Sequence, residues 1–186
     1  MVTQQLQKIN GVDINSIHEL VNSVSQDPAK GILKFQISTT WIDGPRSSTK
    51  IEGWEFGGQK LVKNFTINID EPKELFGTNT APNPQEMLMA AFNACVLATY
   101  VSLCSLQGIK LEKLEIATEG ELDLRGFFRL DETVKPGYEK LNYTIHIKGD
   151  ATPEQFQEIH QAVMAVSPNF WNMANQIKIQ PQLQVL

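Results

Sequence analysis

The sequence predicts an α+β fold in which antiparallel sheets pack on one long central helix. Three observations carry that prediction. An uncharged, mostly apolar run from Met87 to Leu106 follows an Asn83-Pro84 helix start. Segments that alternate apolar and polar residues lie on both sides of it. A second, amphipathic helix pattern falls between two of the later alternating segments. At 186 residues the chain fits a single domain, 1–186, with residues 1–30 as a peripheral N-terminal helical extension.

In chain order, residues 13–25 place Ile14, Ile17, Leu20, Val21 and Val24 at helical spacing and predict a short amphipathic helix. From Gly31 the period changes to two. Leu33, Phe35, Ile37, Thr39 and Trp41 alternate with Lys34, Gln36, Ser38 and Thr40, which predicts one strand with one buried face, ended by Asp43-Gly44-Pro45. A further strand is expected around Trp54. Phe65, Ile67 and Ile69 alternate with Asn64, Thr66 and Asn68 before the Asp70-Glu71-Pro72 break.

The central helix has strong boundary signals: Asn83 as cap, Pro84 at the first position, Glu86 at the third and Gly108 as stop. At roughly 1.5 Å per residue it is about 35 Å long. Having no charge from Met87 to Leu106, it is expected to be buried nearly all round. A run of this length could cross a bilayer. Asn93, Thr99, Ser102 and Ser105 interrupt it, however, and no basic cluster flanks it, so a core helix is the expectation and a membrane is not an expected partner. So small a domain has little left to cover the helix's second side, which points to a homodimer.

After the helix come three alternating segments: Leu114, Ile116 and Leu122; Leu141, Tyr143, Ile145 and Ile147; and Ile177, Ile179, Leu183 and Val185. Pro181 places the last at a sheet edge or a bulge. The helix before it has Thr152 as N-cap, Pro153 at the first position, Gln155 completing a capping box, and a stripe of Phe156, Ile159, Val163 and Val166 that ends at Ser167-Pro168.

Composition narrows the function. A net charge of −5 without a Lys/Arg cluster offers no field for a phosphate backbone, so nucleic acid is not an expected partner. The start MVTQQLQKINGV has no basic, apolar and small-residue succession, and the expected location is cytoplasmic. His18, His146 and His160 lack ligand spacing and read as solvated, so neither a metal nor another cofactor is expected.

Two cysteines are too few for a disulfide scaffold. Cys95 and Cys104 are nine residues apart, half a turn around the helix and about 13 Å along it, so they cannot bridge on one intact helix. Cys95 shares a face with Leu88, Ala91, Phe92, Ala98 and Thr99, a neighbourhood small enough to admit a substrate. A free cysteine is more commonly an inert buried hydrophobe, and composition alone gives either residue that role.

The stretch GTNTAPNPQEMLMAAFNACVLATYVSLCSLQGIKLEKLEIATEGELDL resembles the core of the OsmC/Ohr family, the osmotically induced and organic-hydroperoxide-resistance proteins. The likeness rests on Asn-Pro at the helix start, the Ala-Ala pair, Ala94-Cys95, the Gly108-Ile109 step and the following strand. It continues through PGYEKLNYTIHIKGDATPEQ, and TTWIDGPR resembles the opening strand more faintly. The resemblance implies an OsmC-like fold, an intertwined homodimer with active sites at the subunit interface. In the peroxidase members a helix cysteine attacks a hydroperoxide, an arginine after the first strand stabilises the thiolate, and a second cysteine on the later helix resolves the product.

By that resemblance Cys95 holds the peroxidatic position and Arg46 is the candidate arginine. Ser167 stands where the resolving cysteine is usual, and Gln85 stands where many members carry a carboxylate. Glu86 is displaced from that place by about 100° around the helix; it and Gln85 are the candidate supporting residues, and Glu86 also suits a helix N-terminus electrostatically. A sulfenic acid without a resolving thiol needs an external one. The expected function is therefore thiol-dependent reduction of organic hydroperoxides by Cys95, with Arg46 activating it and no cofactor beyond an external thiol. The alternative is a non-catalytic dimer that binds a hydrophobic small molecule at its interface pocket.

Overall fold

A computed structural model describes residues 8–186. The chain forms two compact units, Met1–Ala90 and Ala91–Leu186.

In the N-terminal unit, β1 (Lys8–Ile9) and β2 (Val12–Asp13) make a small hairpin, followed by α1 (Ile14–Gln26). The Asp13 carboxylate caps α1 by accepting from the N–H groups of Asn15 and Ser16. Ile14 is buried, while Leu20 and Val21, which share its helical spacing, are exposed. A 3₁₀ turn, Pro28–Gly31, leads to β3 (Leu33–Phe35), β4 (Ser38–Asp43), β5 (Arg46–Phe56) and β6 (Gln59–Ile69).

The antiparallel sheet is built around β5, with β3 and β4 pairing to it and β6 also pairing to it. The single strand expected over Leu33–Trp41 is thus two strands, interrupted at Gln36-Ile37. A register shift lies between Ile51↔Phe65 and Gly53↔Val62. There a Cβ on Gly53 would stand 2.6 Å from the Leu61 carbonyl oxygen, so the close approach requires glycine.

Alternation put Trp41 and Phe65 on buried faces. In this chain Trp41 is 72%, Phe65 61% and the neighbouring Val62 89% exposed. The period of two is present, but a sheet face is buried only where a second layer covers it, and among the described residues none covers these three side chains. After β6 the chain enters a loop organised by Asp70, which is buried. Its carboxylate accepts from the N–H groups of Glu71, Thr78 and Thr80 and from the Thr78 and Thr80 hydroxyls. Those bonds, led by the Thr78 hydroxyl, hold it well below the usual carboxylate range.

Helix α2 (Pro84–Leu106) has the predicted boundaries. Asn83 Oδ1 accepts from the Glu86 N–H while the Glu86 carboxylate accepts from the Asn83 N–H, a reciprocal cap. At the other end Gly108 has φ +77°, and the N–H groups of Gly108 and Ile109 bond the Ser105 and Cys104 carbonyls, a Schellman closure. Burial all round does not hold. Phe92, Val96, Tyr100 and Cys104, spaced by four, are buried, whereas Ala91, Ala94 and Ala98 are exposed. One helix lying on one layer covers one side only.

In the C-terminal unit that layer is an antiparallel pair, β7 (Leu111–Gly120) and β8 (Leu141–Gly149), registered Leu114↔Ile147 and Ile116↔Ile145. The connection between them contains α3 (Leu124–Phe127). The core joins Phe92, Val96, Tyr100 and Cys104 to Ile109, Ile159 and Val163, with Leu114, Ile116, Tyr143 and Ile145 packed against it. Helix α4 (Pro153–Val166) begins with the predicted Thr152/Gln155 capping box. At Ser167-Pro168 the chain turns directly into α5 (Pro168–Ala174).

The strand expected over Ile177–Val185 is absent. Residues 176–186 form no strand, and Ile179 and Leu183 are exposed. Alternation makes a strand only beside a free edge, and Pro181 removes one donor from the ladder.

Candidate thiol site on the central helix

Cys95 lies on α2 at the rim between the buried stripe of Phe92 and Val96 and the open stripe of Ala91, Ala94 and Ala98, and it is half-buried. Its Sγ is 3.7 Å from Ser167 Oγ. Ser167 is fully buried at the joint of two helices. It closes α4 through its N–H to the Val163 carbonyl and occupies the N-cap of α5, yet its side chain makes no capping bond there. Its hydroxyl faces the sulfur instead.

Two further bonds hold this arrangement. Asn169 Nδ2 donates to the Ala91 carbonyl at 2.9 Å, tying α5 to the turn of α2 that precedes Cys95. Thr99 Oγ1 donates to the Cys95 carbonyl at 2.9 Å. Nearby on the same helix, Thr118 Oγ1 donates to Asn93 Oδ1 at 2.6 Å and anchors α2 on β7.

Cys104 has no access to solvent and sits in the core, where burial pushes its thiol above the ordinary value. Tyr100 is buried beside it. Its hydroxyl is raised by burial first and by Tyr143 and Cys104 next, and it hydrogen-bonds His160 Nδ1. His160 is therefore not a solvated surface histidine: it is half-buried and stacks against Tyr100, because α4 turns that face toward the core. His146 is exposed, as its place on the polar face of β8 predicts.

The remaining candidates belong to the N-terminal unit. Arg46 is the first residue of β5, opposite Asp43, rather than a loop residue, and is half-buried. Among the described residues it has no ion-pair partner. The Glu86 carboxylate is committed to the helix cap, and Gln85 is exposed in the same turn.

Sequence reasoning missed Asn169, Asn93 with Thr118, and the Tyr100–His160 pair. Local spacing cannot announce bonds such as Asn169 to Ala91, which join residues 78 positions apart.

A long helix carrying a half-buried cysteine and laid on an antiparallel strand pair defines the class, an α+β protein built on one central helix. Residues 77–182 match the OsmC-like protein family, and the chain belongs to it. The uncharacterised protein YmaD of Bacillus subtilis (strain 168) is 27% identical over 101 residues, 53% of this chain and 62% of that protein, so the chain spans less than two thirds of this relative. Among solved structures, an OsmC-like protein from Mycoplasma pneumoniae superposes with a TM-score of 0.60 at 18% identity, covering 76% of this chain and 87% of that one. At that identity the likeness concerns the fold. An organic hydroperoxide resistance protein from Legionella pneumophila gives 0.47 at 20% identity, covering 74% and 86%.

Proposed function

We propose that this OsmC-like protein is a thiol peroxidase that reduces organic hydroperoxides through Cys95 and relies on an external thiol for turnover. The observation that carries the reading is the half-buried Cys95 sulfur, beside a buried hydroxyl and on the margin of an open face of small residues. The Cys95 thiolate attacks the terminal peroxide oxygen, the O–O bond breaks, the alkoxide leaves and takes a proton as the alcohol, and Cys95 becomes a sulfenic acid. Ser167 cannot condense with it as a thiol would. An external thiol forms a mixed disulfide with loss of water, and a second thiol releases Cys95.

Ala91, Ala94 and Ala98 suit the apolar tail of an organic hydroperoxide better than a polar substrate. Arg46 is the candidate cation for the thiolate in this reading, with Gln85 and Glu86 in support. The working unit is a homodimer in the cytoplasm. The uncovered sheet face of Trp41, Val62 and Phe65 and the open side of α2 are what a second copy would cover.

The deciding experiment follows the reduced protein by intact mass after cumene hydroperoxide is added with a sulfenic-acid trap. Rapid trapping is expected in wild type and Cys104→Ser, and its loss in Cys95→Ser. Trapping no faster than for an ordinary buried thiol would sink the peroxidase reading. It would leave a dimer that binds a hydrophobic small molecule, a reading favoured by one feature, the serine at position 167.

A further inference from the structure

The geometry points to Ser167 as the hydrogen-bond donor that holds the Cys95 thiolate, in a site where a hydroxyl activates the sulfur and does not resolve it. This rests on the peroxidase reading only in what the thiolate is for; the donor itself can be tested without peroxide.

Three observations converge on Ser167. Its side chain is fully buried, and its hydroxyl meets Cys95 Sγ at 3.7 Å. It occupies the N-cap of α5, a place where serine ordinarily accepts from the helix's first N–H groups, and it makes no such bond. The joint that aims it is fixed on both sides. The Ser167 N–H closes α4 on Val163, and Asn169 clamps α5 to the Ala91 carbonyl one turn before Cys95.

With the thiol protonated, either group can donate. Once the sulfur is a thiolate, it can only accept, and the Ser167 hydroxyl becomes its donor. A hydrogen bond to the charged form favours that form, and more so in a site partly shielded from water. Ser167 keeps its proton throughout: it gives up no electrons and forms no bond to the sulfenic acid. Thus the residue that donates to the Cys95 sulfur cannot close a disulfide, and the oxidised sulfur is left for an external thiol.

The test is the pH–rate profile for alkylation of Cys95 by iodoacetamide in the full chain, read by peptide mass. Ser167→Ala is expected to move the profile to higher pH and slow alkylation near neutrality roughly tenfold, about 1.4 kcal/mol. A profile superimposable on wild type would overturn the assignment. Ser167→Cys, nearly isosteric, serves if the alanine variant does not fold, since a thiol is a weaker donor and should move the Cys95 profile in the same direction. That variant also reports the geometry. Cumene hydroperoxide should convert Cys95 to the sulfenic acid, which condenses with the thiol introduced by Ser167→Cys to give a disulfide and water. Absence of the disulfide in a protein that forms the sulfenic acid would count against the contact. The two readings fail separately. A wild type inert to peroxide but with a displaced Ser167→Ala profile loses the peroxidase and keeps the donor; a peroxide-reactive wild type with coincident profiles does the reverse.

Discussion

The two cysteines of α2 lie nine residues apart, half a turn around the same helix, and meet different surroundings. Cys104 falls in the stripe of Phe92, Val96 and Tyr100 that β7, β8 and α4 cover. There it is a small hydrophobe whose thiol stays protonated because burial disfavours the charge. Cys95 falls at the edge of that stripe, where packing ends, a buried hydroxyl reaches it and alanines leave the adjacent face open. The contrast shows that the burial of a cysteine on this helix is set by its angular position relative to a one-sided layer. Neither the residue type nor its neighbours along the chain would distinguish the two.

The sharpest way to break the comparison is native-state alkylation. Cys95 should react directly, whereas Cys104 must wait for the core to open. A gap of about a thousandfold is expected if that opening costs roughly 4 kcal/mol. Peptide mass spectrometry after timed iodoacetamide exposure measures it; similar native rates would mean the two environments are not distinct, and in denaturant the gap should vanish.

Stability offers the next test. Cys104→Ser buries a hydroxyl among apolar side chains and should cost about 1–3 kcal/mol by urea unfolding. Cys95→Ser, beside Ser167 and half-exposed, should stay within about 1 kcal/mol. Equal costs would erase the contrast.

A smaller effect should appear on the alkaline side. The folded state raises the Cys104 thiol above its ordinary 9.0 and raises the Tyr100 hydroxyl as well. Above about pH 9 the unfolded chain therefore releases protons that the folded chain keeps, and stability should fall as pH rises. The contribution is fully present below the ordinary thiol value and is lost as pH climbs through the raised one. Cys104→Ala should flatten that slope, as read from urea midpoints between about pH 8 and pH 10. The smallest effect belongs to Asn169→Ala, which removes the side-chain bond to the Ala91 carbonyl and should cost about 1 kcal/mol while slowing Cys95 alkylation a few-fold, since the Ser167 donor is held less firmly on the sulfur. No change in that rate would show that the clamp does not position Ser167.

Much of the architecture was legible in particular residues. Asn83-Pro84 with Glu86 and Gly108 marked both ends of α2, and Thr152, Pro153 and Gln155 marked the start of α4. The core stripe of α4 was readable in part: Ile159 and Val163 are buried as the period predicts, while Val166 is exposed where the helix runs out of its layer. Less legible were the interruption that splits β3 from β4 and the helix α5 beyond Ser167-Pro168. The C-terminal alternation was misleading, since it contains a strand's pattern without a strand's partner.

Local matters are readable from the residues alone: the class of fold, the caps, the strand periods, the length of α2 and the half-turn that keeps Cys95 from Cys104. Each depends on contacts between residues a few positions apart, and these are written in spacing. Tertiary packing alone selects which face of α2's uncharged run from Met87 to Leu106 is covered, turns the Ser167 hydroxyl to Cys95 rather than to its own helix, and brings His160 to Tyr100. The two side-chain pairings join residues 72 and 60 positions apart, and they follow from how layers stack, a choice that apolar periodicity allows but does not make.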